Sequence, residues 1–189
     1  MSEFITINTE DAIKDIPQVR QETILDLVPE NSPILSEVMP EWDFKNPPGN
    51  AITLASNLVD TCRKHNGYGL SANQCGLRYR VFVMGYGEEF VAFFNPKIIS
   101  AEGEAHMVEG CLSFPLLGLY ITRAKLIKVE YQDYTGATKT ATFDGISARC
   151  FQHELDHMNG IVYTKKVKPM ALQSGMQKRN KIMKKLNLK

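Results

Sequence analysis

Downstream of Asp156 the sequence has no acidic side chain, and nowhere does it hold an apolar run long enough to span a membrane. Cysteine is sparse. Cys62, Cys75, Cys111 and Cys150 are too far apart for a CxxC zinc ribbon and too few for the dense disulfide framework of a small secreted domain, so they are read as reduced thiols. The N-terminal stretch lacks the basic-then-apolar pattern of a secretory signal and the Arg-rich, acid-poor character of an organellar one; a cytoplasmic chain with no membrane attachment is expected. Internal repeats and low-complexity tracts are missing too. With 189 residues, 43% of them hydrophobic and 23% charged, the chain can bury a real core within one compact domain.

A formal charge of +1 hides an uneven distribution. Residues 1–156 carry 13 basic and 21 acidic side chains, whereas the remainder holds nine basic residues (Lys165, Lys166, Lys168, Lys178, Arg179, Lys181, Lys184, Lys185 and Lys189). Six of the nine prolines fall before residue 50, which predicts an irregular segment wrapped on the surface with short helical pieces. Apolar spacing then predicts a helix over 50–66, with Asn50 as N-cap and Gly67 as stop. Strands are expected over 80–86, 90–95, 125–132 and 138–143, the last two joined as a hairpin across 133–136. A helix over 145–159, capped by Gly160, follows, and a basic helix over about 169–186 has Met170, Leu172, Met176, Ile182, Met183 and Leu186 as its apolar stripe. Segregated helices and antiparallel strands make the class α+β: residues 1–168 as a domain whose antiparallel sheets surround the 145–159 helix, and 169–189 as a basic helical tail.

On the 145–159 helix, His153 and His157 lie one turn apart with Glu154 between them. Residues four apart stack on one helix face, so both imidazoles can address a single divalent ion, with Glu154 close enough to handle the proton of an attacking water. Chance is a weak rival: from composition, one HExxH arises about 0.006 times in a chain of this length. Polar decoration of an ordinary surface helix is the other alternative. The third ligand decides the chemistry. HExxHxxGxxH would supply a histidine, but Tyr163 stands in that place; a carboxylate from a later helix is closed off by the absence of acid after Asp156. Upstream, Cys111 in the run Glu109-Gly110-Cys111-Leu112-Ser113 is the best candidate, since thiolate suits zinc or ferrous iron and Gly110 lets the backbone approach closely. A buried core thiol is the bland alternative for Cys111. His65 and His106 are isolated and read as surface or capping residues, with His106, five positions before Cys111, the one to check.

The run from Gly67 to Gln74, GYGLSANQ, is no phosphate loop, because it lacks the Lys-Ser/Thr ending and does not open a helix after a strand. Two readings stay open. Its glycines can let a substrate backbone pass while the Gln74 amide donates to an oxygen gaining charge, or it can be a packing turn.

Taken in order, GYGLSANQ, EGCLS and QHELDH resemble the three signature motifs of peptide deformylases, hydrolases that remove the N-formyl group from nascent polypeptides. The likeness covers about residues 33–163. It implies that Cys111, His153 and His157 ligate one divalent metal, Fe²⁺ natively with Zn²⁺, Ni²⁺ or Co²⁺ as substitutes, and that Glu154 is the general acid/base. Gln74 and the Leu112 backbone N–H would stabilise the oxyanion, and Gly69 would let the substrate run past as an added strand. Gly67, Tyr68, Glu109 and Gly110 would join them in binding substrate, and Arg123 would be a structural ion-pair residue. Ser71 and Asn73 depart from the Ala and Pro frequent in the family, and Arg149 stands where many members are apolar. Ile146, Cys150 and Tyr68 are expected to line a methionine pocket, with the Arg149 stem along its wall and its charged head outside. Formyl-methionyl nascent peptides are the implied substrates; for the basic tail two readings stay open, contact with ribosomal RNA or a solvated helix whose apolar stripe packs on the domain, and neither DNA nor membrane is an expected partner. The rivals are a related metal-dependent amidase or peptidase acting on another acyl group, and a binding module with a structural metal.

Overall fold

A computed structural model describes residues 23–187. Lys189, and the part of the expected surface wrap that falls on residues 1–22, lie outside the described residues. From residue 23 to 50 the chain is irregular, as its prolines predict, with a single 3-10 turn at Pro33–Ser36. It is more than a wrap, however, because Ile34, Leu35, Met39 and Trp42 are buried in the core.

Helix α1 (Ala51–Lys64) starts where the Asn50 side chain accepts a hydrogen bond from the Thr53 N–H at 2.9 Å, a cap that contributes about 1 kcal/mol. Leu54, Leu58 and Cys62 mark its buried face. The left-handed residue beyond it is Asn66, with φ of 54°, and not Gly67. Gly67 is needed for space instead: an added Cβ would lie 2.8 Å from Leu112 Cδ1.

The strands are β1 (Gly69–Ser71), β2 (Val81–Tyr86), β3 (Glu89–Glu102), β4 (Ala105–Cys111), β5 (Phe114–Arg123), β6 (Leu126–Gln132) and β7 (Thr138–Asp144). Five form an antiparallel sheet in the order β1-β2-β3-β6-β7, while β4 and β5 pair separately. All four expected strands exist, and the β6–β7 turn is held by Asp133 Oδ1, which accepts from the N–H groups of Thr135 and Ala137. Strands β1, β4 and β5, and the continuation of β3 beyond Asn95, were not expected. β1 is three residues long, β4 alternates poorly, and β5 carries Pro115 and Gly118 near its start, so none shows the period-two pattern in full. From Leu117 onward β5 does alternate: Leu117, Leu119, Ile121 and Arg123 are buried.

Helix α2 (Gly145–Met158) is buried on two sides. Ala148, Phe151, Leu155 and Met158, spaced three and four apart, face the five-stranded sheet, where Phe82, Phe93 and Phe143 pack around Phe151 at ring distances of 5.1 to 5.7 Å. Arg149, Cys150, His153, Glu154 and His157 fall on the other side. Gly160 ends the turn at φ of 67°, where an added Cβ would stand 2.6 Å from Ser36 O.

Helix α3 (Pro169–Lys185) packs on β5 through Gly175, whose added Cβ would meet Leu119 Cδ2 at 2.8 Å. Leu172 and Met176 flank that contact and join the cluster of Leu35, Leu117, Leu119 and Ile121. Of the rest of the expected stripe, Met183 is half-buried, while Met170, Ile182 and Leu186 are exposed. The glycine lets the helix approach β5 closely at that point. No described helix is long and apolar enough to cross a membrane.

Candidate metal centre

The cleft between α2, β1 and the β4–β5 sheet is where the separated motifs meet. Cys111 closes β4, and His153 and His157 project from α2; their ligand atoms all lie within 4.8 Å of one another. Cys111 Sγ is 3.3 Å from His157 Nε2. The imidazole rings stand 5.1 Å apart and steeply inclined, so the two nitrogens converge without stacking. His106 is not among them: it is exposed, 3.0 Å from Thr122 Oγ1 and stacked on Tyr120.

One ligand is oriented from behind. His153 Nδ1–H donates to Glu109 Oε2 at 3.1 Å, which leaves Nε2 for the cluster, the usual arrangement for a metal-binding histidine. Glu109 also accepts both Nε and Nη2 of Arg123, at 2.6 and 2.9 Å, and Nη1 of Arg149. Arg123 in turn donates to Asp156 at 2.7 Å, so it is an ion-pair residue as expected. Burial alone would raise the Glu109 pKa, but the hydrogen bonds from His153 and Arg123 outweigh it and hold it at about 2. Burial would likewise lower His153, yet hydrogen bonds to the Cys111 sulfur and Glu109 outweigh it and raise its pKa above the ordinary value. Burial pushes His157 well below its ordinary value and keeps it neutral.

Arg149 departs from expectation. Its head is not outside: it is buried between Glu109, Ile121 O at 3.0 Å and Ala105 O at 2.6 Å. These two carbonyls and the Glu109 charge offer it more than solvent does, once the stem lies along the wall of the cleft. Gly110 differs too, since an added Cβ there meets no protein atom within 4 Å; close backbone packing does not explain it.

On the opposite wall, Gly69 is required by space. A Cβ there would stand 2.6 Å from Glu154 Oε1 and 2.8 Å from Cys150 Sγ, so any larger residue in β1 must displace one of those side chains. Burial raises the Glu154 pKa above its ordinary value. Ser71 Oγ donates to Glu154 Oε2 at 2.7 Å, and the Ser71 N–H donates to Gln74 Oε1 at 2.9 Å. Fixed in that way, Gln74 directs Nε2 to Ser113 Oγ at 3.0 Å and Cys111 Sγ at 3.4 Å. Asn73 Nδ2 donates to His157 O at 2.9 Å. Ser71 and Asn73, visible in the sequence only as departures from a family pattern, thus both brace α2; Ser113 gave no sequence signal beyond its place in EGCLS.

The cleft has a volume of about 690 Å³, and Gly67, Tyr68, Gln74, Leu112, Ile146 and Cys150 are among its lining residues. Tyr68 is half exposed and packs on Tyr86 at 5.7 Å. The donor set fits a divalent ion: a thiol and two imidazoles within reach of one point, one oriented by a carboxylate, with room in the cleft for a further ligand.

Comparison with known proteins agrees with this architecture. Residues 24–173 match the family model described as polypeptide deformylase. A peptide deformylase of Carboxydothermus hydrogenoformans is 39% identical over 134 residues, 71% of this chain and 87% of that protein. The crystal structure of a peptide deformylase from Legionella pneumophila superposes with a TM-score of 0.79 at 29% identity, covering 88% of this chain and 99% of the other. That from Synechococcus elongatus, in complex with actinonin, gives a TM-score of 0.77 at 26% identity, covering 86% and 92%. With the family model spanning most of the chain and three motifs folded into one cleft, this protein belongs to the peptide deformylase family and is a hydrolase.

Proposed function

We propose that Cys111, His153 and His157 hold the divalent ion of this family's reaction, removal of the N-formyl group from the N-terminal methionine of nascent polypeptides, with Glu154 as general acid/base. The observation that carries this is the convergence of their ligand atoms within 4.8 Å beside a buried carboxylate. A bound ion supplies Lewis acidity, lowering the pKa of water and polarising the formyl carbonyl. Glu154 takes the proton of the water that adds to the formyl carbon, and returns it to the amine nitrogen as the C–N bond breaks, giving formate and a free N-terminus. Burial favours that exchange by raising its carboxyl toward neutrality. Gln74 Nε2, fixed by Ser71 and Ser113, and the Leu112 N–H donate to the carbonyl oxygen as it gains charge. Gly67, Tyr68, Gly69, Glu109 and Gly110 bound the substrate's path, while Ile146, Cys150 and the Arg149 stem receive the methionine side chain.

Fe²⁺ is taken as the native ion on the family resemblance alone; one thiolate and two imidazoles suit ferrous iron and zinc alike. Such a substrate places the enzyme in the cytoplasm, where nascent chains emerge. Residues 1–168 form the hydrolase unit and 169–189 a tail whose exposed Lys178, Lys181, Lys184 and Lys185 reach ribosomal RNA phosphates. Anaerobic purification with metal analysis, followed by assay of formyl-Met and acetyl-Met peptides, tests the chemistry: iron-dependent release of formate with little release of acetate is expected, and equal cleavage of both would overturn it. Ribosome association unchanged by deletion beyond Pro169 would overturn the role of the tail.

A further inference from the structure

Strand β5 opens with a bulge. Cys111 pairs with Phe114 and Glu109 with Leu119, so residues 115–118 lie opposite Gly110 alone. The bulge is anchored from within. Leu117 is buried beside Leu119 and Ile121, and its carbonyl oxygen accepts a hydrogen bond from Tyr163 Oη at 2.7 Å. Gly118 lies close under Val108, whose Cγ1 would be 3.1 Å from an added Cβ.

With Leu117 held in this way, Leu116 takes φ of 64°. Among the described residues, the other non-glycine positions at positive φ are all asparagine, which tolerates the left-handed region. Leucine does not, and glycine would stand there without strain. The core makes little use of the side chain: Leu116 is 44% exposed and Val108 53%, and both line the cleft that holds Cys111, His153 and Glu154. Strain held in place by its surroundings and spent on an exposed apolar group at a cleft mouth is a mark of a ligand contact. A cleft of about 690 Å³ also holds more than a formyl-methionine.

We infer that Leu116, backed by Val108, is a specificity-determining residue that receives a bulky apolar side chain one or two positions after the formyl-methionine. This chain then processes formyl-Met peptides with Leu or Phe at the second or third position faster than those with Ser or Asp there. The inference rests on the cleft being the deformylation site.

The test measures kcat/KM across such a peptide series for the metal-loaded wild-type chain, L116G and L116A, together with their Tm. The wild-type chain is expected to favour apolar followers about tenfold, and both variants to bring that ratio within about twofold. L116G relieves the backbone while L116A retains the Cβ, so Tm is expected to hold or rise by up to about 3 °C in L116G only. A ratio unchanged in both variants would overturn the inference. So would an equal loss on every peptide accompanied by a lower Tm in L116G, which would mark a structural role. Wild-type hydrolysis without apolar preference would overturn this inference alone, whereas no hydrolysis of any formyl-Met peptide would overturn the site assignment beneath it.

Discussion

Two walls of one cleft are built in different ways. On α2, His153, Glu154 and His157 fall within five consecutive positions, and the helical repeat alone puts them on one side. On the β4–β5 wall, Glu109 and Arg123 come from two strands and lie in a buried network in which the Glu109 carboxylate serves Arg123 and, from α2, Arg149 and His153. The helix brings its geometry with it, whereas the sheet acquires its geometry from charge pairing. Damage should therefore spread differently: a change at Glu154 removes chemistry and leaves the fold, while a change at Glu109 carries off stability and metal together.

The largest effect is expected on the helix. E154A should lower kcat by about three orders of magnitude with metal content unchanged, as measured by steady-state deformylation and elemental analysis. A loss of metal in that variant would erase the contrast. Removing a ligand from either wall should matter alike: C111A and H157A are each expected to weaken metal retention about 100-fold or more in chelator competition.

On the sheet, E109A leaves Arg123 and Arg149 buried without their carboxylate, at a cost of about 3–5 kcal/mol in denaturant unfolding. It should also weaken metal binding about 10–100-fold, because His153 Nδ1 loses its acceptor. The pH dependence follows in sign. The folded Glu109 pKa lies at about 2, below its ordinary 4.5, so the stability it contributes is complete above 4.5 and lost as pH falls from there toward 2. That acid-side loss should shrink in E109Q; an unchanged slope would contradict the network. The smallest effect is expected at Gly69→Ala, where the new Cβ must push Glu154 Oε1 or Cys150 Sγ aside: about tenfold in kcat, with stability changed by about 1 kcal/mol.

The same contrast explains what was legible beforehand. Helices α1, α2 and α3 were within reach of pattern and caps, Asn50 and Gly160 above all, because their signals are local. Cys111 could be reached by exhausting the alternatives for a third ligand. Strands β4 and β5 could not, since Pro115, Gly110 and Gly118 break the alternation that would announce them, and their pairing is long-range. Arg149 was misjudged for a related reason: in sequence its acceptors, Ala105 O, Ile121 O and Glu109, are dozens of residues away, and nothing local draws a guanidinium inward. Ser71 shows the converse, a substitution that looks neutral until the fold brings it 2.7 Å from Glu154.

X-ray absorption at the metal edge of the zinc-loaded chain tests the central claim most directly. One sulfur at about 2.3 Å and two imidazole nitrogens per ion are predicted, with the sulfur signal gone in C111A. A shell of nitrogen and oxygen alone in the unsubstituted chain, or one that C111A leaves unchanged, would contradict it.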